Sequence, residues 1–403
     1  MKKPAHPGVS RRRFLRNAAV LGGATAAATF VPTRYIIARP AKVKVGILLP
    51  YTGVYAKLGE NIRDALMLRI RQNDGRLGGR EVEFVDIDSQ AKPPLAPELT
   101  NRLVHKEKVD FIVGAVHSLV GMAMAKIVGG DGPITVIANA GADQLTGSLC
   151  APNIFRTSFS AYQTSFPCGK AVYEDGHREV VLMYWNYGFG KQAAAAFKEA
   201  FVARGGKIVK EIPTPFPEVE FQAYLTELAA IRPDAVFTFY AGGGAVKYVK
   251  DYAAAGLKDA IALYGAGFLT EGVLKAQGAA AEGVRTTLHY ADTLDNPANR
   301  RFKRAFREAT GRDADVYAVQ GYDAGSLLVQ GMAAVGGDTG ARAELIRAME
   351  STTIDSPRGP FTFSKAHNPI QDIYLREVQN GENRVLRIVA PRLEDPAKGC
   401  RMT

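Results

Sequence analysis

A short apolar run, Val109-Asp110-Phe111-Ile112-Val113, reaches Gly114 and turns through Ala115-Val116-His117-Ser118. It then becomes a small-residue helical pattern from Leu119 to Val128. So short and continuous an apolar run reads as a strand buried on both faces, and strands of that kind belong to parallel sheets covered by helices. The glycine and the His-Ser pair mark a tight loop feeding a helix. In open α/β sheets ligands bind outside the carboxyl ends of the strands, and the free N–H groups of a helix N-terminus attract anions. Ser118 stands at the N-cap position of that helix, with His117 beside it. A serine there needs no ligand to explain it, because its hydroxyl can simply accept from the first turn. Other strand ends along the chain repeat the arrangement, and the repetition gives it functional weight.

The alternation begins at Lys42–Pro50, a buried strand ended by Tyr51-Thr52-Gly53 and followed by a helix from about Leu58 to Gln72. Glu81–Asp88 alternates as a strand, Pro97–Lys108 as a helix, and Ile134–Ala138 as a strand ending at Asn139-Ala140-Gly141-Ala142. After Phe155-Arg156-Thr157 the pattern restarts with a helix at Tyr162–Tyr173. The strand Glu179–Trp185 then meets Tyr187-Gly188-Phe189-Gly190 and a long Ala-rich helix. Strands follow at Lys207–Glu211, Asp234–Tyr240 and Ala260–Tyr264, the last two ending at Ala241-Gly242-Gly243-Gly244 and Gly265-Ala266-Gly267-Phe268. Helices at Asn296–Thr310 and Val316–Val335 and a hairpin around Asn380-Gly381 complete the chain. Two doubly wound parallel α/β sheets are expected. The late elements are too few for a third domain and are expected to return to the first two, which gives several crossings and a hinge. At 403 residues, two domains is also what chain length alone suggests.

The first 38 residues stand apart. Ser10-Arg11-Arg12-Arg13-Phe14-Leu15-Arg16 precedes a mild apolar run from Ala18 to Val31, the pattern of a twin-arginine export signal. That run is about fourteen residues, too short to span roughly 30 Å of hydrocarbon. Seven of the Lys and Arg residues precede Arg39, with no acid among them, and removing them lowers the formal charge from +11 to +4. No basic patch interleaved with aromatics remains, so no nucleic-acid partner is expected. With no later apolar stretch of membrane-spanning length, the mature chain is expected to be soluble and periplasmic. In that oxidising compartment Cys150 and Cys400, both in loop-like contexts, are expected to bridge and tie down the tail. Cys168, inside a helical pattern, is expected as a buried thiol.

No catalytic set assembles. Gly265-Ala266-Gly267 lacks a third glycine at dinucleotide spacing, no P-loop occurs, and Ser118 does not sit in a G-x-S-x-G elbow. The histidines never fall at ligand spacing and no C-x-x-C occurs, so neither a metal nor a cofactor is expected. Asp86-Ile87-Asp88 reads as a strand end with solvated carboxylates, because the glycine and distal Glu of a calcium loop are missing. What recurs instead is strand-end loops carrying hydroxyls, aromatics and bare backbone: Tyr51-Thr52, His117-Ser118, Asn139–Ala142, Tyr187, Tyr240-Ala241 and Gly267-Phe268. Two lobes presenting such edges make a cleft that can close on a small ligand.

In Val45–Gly53, Gly59, Gly114–Ser118, Phe155-Arg156-Thr157, Tyr187–Gly190, Gly283 and His289-Tyr290, in that order and spacing, the chain resembles the periplasmic solute-binding proteins of ABC transporters, of the branched-chain amino-acid type. The resemblance covers essentially all of the mature chain. It implies two Rossmann-like lobes joined by three crossovers, with residues 42–160 plus 290–350 in one lobe, 161–289 plus 351–392 in the other, and 393–403 as a tail. It also implies a monomer that hands its ligand to permease subunits without catalysis. By position, Ser118 and the Ala140-Gly141 loop would hold a ligand carboxylate, and Leu58, Tyr187 and Tyr240 would line the rest. Tyr51, Asn139, Tyr162, Gly267 and Phe268 complete the expected site, and His117 would add a carboxylate contact, either protonated or through a neutral N–H.

Members of the family that bind α-amino acids commonly carry Thr near Ala142 and an acid near Gly267 to hold the ammonium, and both are missing here. An unpaired buried ammonium costs several kcal/mol, so an α-amino acid is expected to bind poorly. The pocket resembles that of the subgroup taking aromatic or other hydrophobic carboxylates, and the resemblance implies a ligand of that class, of benzoate or phenylpropenoid type. The alternatives are an aliphatic amino acid, amide or urea, with Glu271 swinging in as the ammonium partner; a sensor domain on the same fold; and a lyase or hydrolase, which would need an acid-base pair in the cleft.

Overall fold

The computed structural model describes residues 42–402. The arginine-rich leader, where a twin-arginine export signal is expected, lies outside the described residues. Strands β1 (Val43–Leu49), β2 (Arg76–Leu77), β3 (Arg80–Asp88), β4 (Phe111–Gly114), β5 (Ile134–Ile137) and β6 (Ile154–Arg156) form a six-stranded sheet in the order β2-β3-β1-β4-β5-β6. Its pairings are parallel except for the short β2-β3 ribbon. The second sheet contains β7 (Glu179–Trp185), β8 (Lys207–Thr214), β9 (Ala235–Phe239), β10 (Ala262–Ala266), β11 (Arg285–Leu288), β12 (Thr362–Phe363), β13 (Pro369–Gln379) and β14 (Glu382–Leu393). It runs β12-β13-β11-β10-β9-β7-β8, with β14 also on β13. It is parallel from β8 to β11 and antiparallel beyond. Every residue of β4 and β9 is buried, as helix-covered parallel strands require.

Both sheets are wound alike. The two-residue β2 apart, the first strand of each, β1 or β7, has the next, β3 or β8, on one side and the one after, β4 or β9, on the other. A reversal of strand order opens a crevice at the carboxyl ends of β1 and β4, and again at those of β7 and β9. The helices Ala56–Arg71 and Gly188–Val202, which follow β1 and β7, repeat one device. A Cβ on Gly59 or Gly190 would strike the carbonyl of Pro50 or Trp185, so only a bare backbone lets each helix start so close to its strand.

The chain passes between the sheets three times: after β6, after β11, and after the helix Arg342–Glu350. The helix Val316–Ala334, reached by the second passage, packs along Ala56–Arg71. Buried arginines fix the passages. Arg156 donates to the carbonyls of Phe159 and Ala142, each at 2.6 Å. Arg358, paired with Asp323 at 3.3 Å, donates to the carbonyls of Thr157 and Ser158 at 2.8 and 3.1 Å. Arg376, paired with Glu271, donates to the carbonyls of Tyr290 and Gly267 at 2.6 and 3.0 Å. Backbone carbonyls and carboxylates thus take most of the buried guanidinium donors, which offsets the cost of burying the charge.

Cys150, between β5 and β6, is bonded to Cys400 with Cα atoms 5.5 Å apart, and Cys168 is a buried thiol. The tail after β14 thus returns to the first sheet, and on its way Asp395 accepts from the Ser160 hydroxyl. Among the described residues no helix is long and apolar enough to cross a membrane.

Several elements depart from the sequence expectation. The helix expected over Pro97–Lys108 is regular only over Ala96–Asn101, continues as a π-turn, and stops at Lys108 in the left-handed region at φ 53°. The helix Gly242–Ala254 begins on three glycines, which read as a loop. Strand β11 is Arg-Thr-Thr-Leu and shows no apolar run, because its buried threonines spend their hydroxyls inside: Thr287 on the carbonyl of Thr164, Thr286 on Arg376. The hairpin turn at Asn380-Gly381 forms as expected, with φ 54° and 74°.

Candidate functional site

The crevices of the two sheets meet in a small cavity lined from both of them. Loops after β1, β4 and β5 contribute Tyr55, Leu58, Val116, Ser118, Asn139 and Gly141. Loops after β7, β9 and β10 contribute Tyr187, Phe189, Phe239, Ala241 and Phe268, and the passages add Phe159 and Tyr317. None of these side chains is charged.

The polar wall begins at the helix Ser118–Val128. Its N-cap is His117, not Ser118: His117 has extended backbone, and its Nδ1 accepts from the Leu119 amide at 3.2 Å. With the capping done by the imidazole, Ser118 is the first helical residue. Its buried hydroxyl has no partner among the described residues and lines the cavity. The Gly141 amide likewise has no acceptor among the described residues, while its carbonyl takes the Ala161 amide at 2.8 Å. A Cβ on Gly141 would strike the rings of Phe159 and Phe189, so bare backbone is what lets the polar and aromatic walls touch. Asn139 is oriented by its Nδ2, which donates to Gln320 Oε1 at 2.7 Å.

The opposite wall is a lattice of rings. Phe189 and Phe239 centroids lie 4.4 Å apart, Phe159 and Phe268 4.6 Å, and Phe159 and Phe189 5.7 Å edge to face. Across the cleft the hydroxyls of Tyr55 and Tyr187 bond at 3.0 Å. His117 stacks on Tyr187 at 4.5 Å and against Phe216 at 5.0 Å. Burial lowers its pKa to about 4, so the imidazole is neutral at pH 7, and with Nδ1 accepting, the proton sits on Nε2. His117 is thus neutral at pH 7 and adjoins the cavity without lining it.

Of the expected site residues, the cavity gathers Leu58, Ser118, Asn139, Gly141, Tyr187 and Phe268. Tyr240 turns the other way, stacking on Tyr248 at 4.5 Å with its hydroxyl 3.3 Å from Thr214, because the strand pleat sends Phe239 and Ala241 to the cavity instead. Tyr51 donates to Asp86 at 2.9 Å and its amide to Asp88 at 2.8 Å. The two acids thus shape that loop, and Asp86 also takes Arg63 at 3.1 Å. Tyr162 stacks on Phe166 at 4.7 Å at the lobe surface. Ala140 packs into the core on the far side of the first sheet, and the Gly267 carbonyl is taken by Arg376. Glu271 is buried and held by Arg376, by the Val316 amide at 3.1 Å and by Asn383 at 3.4 Å, so it is not free to swing. Phe189 and Phe239 had a signal in the sequence, as neighbours of Tyr187 and Tyr240. Tyr55, Phe159 and Tyr317 had none, since they arrive from a short turn and from passages between sheets.

With that geometry in place, comparison with known proteins gives a consistent answer. Residues 42–383 match the family model described as periplasmic binding protein. A relative from Brucella melitensis, named Leu/Ile/Val-binding protein homolog 6, is 33% identical over 349 residues, covering 85% of this chain and 88% of its own. The crystal structure of an ABC-transporter solute-binding protein from R. palustris in complex with benzoate is 48% identical, with a TM-score of 0.88, over 90% of this chain and all of that one. A solute-binding protein from Rhodopseudomonas palustris BisB5 in complex with 3,4-dihydroxybenzoic acid is 30% identical, with a TM-score of 0.83, over 88% of this chain and 99% of its own. The chain belongs to the periplasmic binding protein family.

Proposed function

We propose that this protein captures a small aromatic carboxylate between its lobes outside the cytoplasm and delivers it to an ABC permease, without transforming it. The observation that carries the reading is the division of the cavity. Neutral donors, the Ser118 hydroxyl at a helix N-terminus and the Gly141 amide in the loop after β5, suit a carboxylate, and the ring lattice opposite suits an aromatic body. The benzoate carried by the 48%-identical relative supports this reading. The lobes are taken as residues 42–160 plus 290–350 and 161–289 plus 351–392, with the leader as a twin-arginine export signal and the protein as a monomer.

The names of the Brucella relatives favour a branched-chain amino acid instead. Against it, no carboxylate lines the cavity and Glu271 is tied to Arg376, so an α-ammonium would be buried unpaired at a cost of several kcal/mol. A thermal-shift panel of benzoate, hydroxybenzoates, leucine, an aliphatic acid and an amide separates the two. A ligand at a hundred times its Kd adds about 2.7 kcal/mol to native stability. Upward shifts with aromatic acids and none with leucine are expected; a shift with leucine alone would refute the proposal.

A further inference from the structure

Tyr317 is the second residue of the helix Val316–Ala334, and its placement is fixed from both lobes. Asp315 caps the helix through the Ala318 amide at 2.9 Å and takes Asn61 Nδ2 at 2.6 Å, while the Val316 amide donates to Glu271 at 3.1 Å. The Tyr317 ring lies 6.2 Å from that of Phe268 and lines the cavity. Its hydroxyl is buried and has no hydrogen-bond partner among the described residues. The other buried tyrosines show how unusual that is. Tyr252 donates to the Ile261 carbonyl at 2.7 Å, Tyr290 to Asn299 at 2.9 Å, Tyr264 to Asp175 at 2.7 Å, and Tyr55 and Tyr187 bond each other. Each of these is satisfied by the protein; Tyr317 is left over, at the cavity wall.

An unpaired buried hydroxyl costs stability unless something that binds there completes it. Burial above all, with neighbouring phenols adding to it at Tyr55 and Tyr317, raises the pKa of Tyr55, Tyr187 and Tyr317 well above the ordinary value, so all three stay neutral and can both donate and accept. Two hydroxyls sharing one bond also leave one proton of the Tyr55–Tyr187 pair unused. The cavity therefore has a second polar pole, separate from Ser118 and Gly141 and built of phenols. We infer that Tyr317 is a specificity residue that pairs with a hydroxyl group on the ligand's ring, so that the protein selects hydroxylated aromatic acids over the unsubstituted acid. This rests on the reading that an aromatic acid occupies the cavity.

The experiment is isothermal titration of benzoate, 3-hydroxybenzoate and 4-hydroxybenzoate into the wild-type protein and Tyr317→Phe. The wild type should bind at least one hydroxy acid about tenfold or more tighter than benzoate, as expected when a buried polar group gains its partner. Tyr317→Phe removes a hydroxyl that has no partner among the described residues, so the variant should fold. It should bind benzoate at least as tightly as the wild type and lose the preference. Equal affinities for the three acids in the wild type, or a preference surviving in Tyr317→Phe, would overturn the inference while leaving aromatic-acid binding intact. Failure of all three acids to bind would remove the aromatic reading and the inference with it.

Discussion

The two sheets place their ligand-facing loops at the same topological point, yet they furnish it with opposite chemistry. The loops after β4 and β5 bring a hydroxyl, an amide side chain and bare backbone; the corresponding loops after β7, β9 and β10 bring almost nothing but rings. Strand order decides where a cleft forms, and side chains decide which half of a ligand each lobe takes. The aromatic wall is also core: Phe239 lies within 6.5 Å, centroid to centroid, of Trp185, Tyr187, Phe189 and Phe268. In the polar wall, the Ser118 hydroxyl has no partner among the described residues.

That asymmetry is breakable by mutation. Phe239→Ala should have the largest effect, about 3–5 kcal/mol of folding stability in denaturant titration, with binding of aromatic acids lost as well. A variant as stable as the wild type would show that the ring wall is ligand surface only. Ser118→Ala should behave in the opposite way, with affinity for aromatic acids falling by about 1–3 kcal/mol in titration calorimetry and the unfolding midpoint unmoved. Unchanged affinity would shift the carboxylate away from this helix.

The smallest effect concerns His117, between the walls. Its folded pKa of about 4 lies below the ordinary value of 6.5, so ligand affinity should stay flat from pH 8 to about 5. An affinity that rose on acidification through pH 6.5 would mean that a histidinium holds the carboxylate after all. Stability has the complementary sign. The unfolded chain binds the proton first, so the His117 contribution is complete above pH 6.5 and is lost as pH falls towards 4. His117→Asn keeps a capping side chain and should flatten that acid limb.

The architecture was legible because its signal is local. Buried strands such as Phe111–Gly114 and Ala235–Phe239 are continuous apolar runs, and the Asn380-Gly381 turn needs left-handed backbone that this pair supplies. The site was legible in part. Ser118 and Gly141 stand at strand ends that sequence can locate, but the choice between Tyr240 and Phe239 depends on the phase of one strand's pleat. The capping imidazole of His117 could not be told from a capping Ser118, as either residue type offers an acceptor. Tyr317 depends on a passage between lobes, a relation no window of sequence contains.

The Cys150–Cys400 bond has a mechanical meaning. Seven peptide steps separate Leu393, at the end of β14, from Cys400. Fully stretched they reach about 24 Å. One end of this strap is rooted in the ring-bearing half of the molecule and the other is locked to the loop before β6. The strap caps the distance that could open between its two anchors, and Cys400→Ser would remove that cap without changing a residue that lines the cavity.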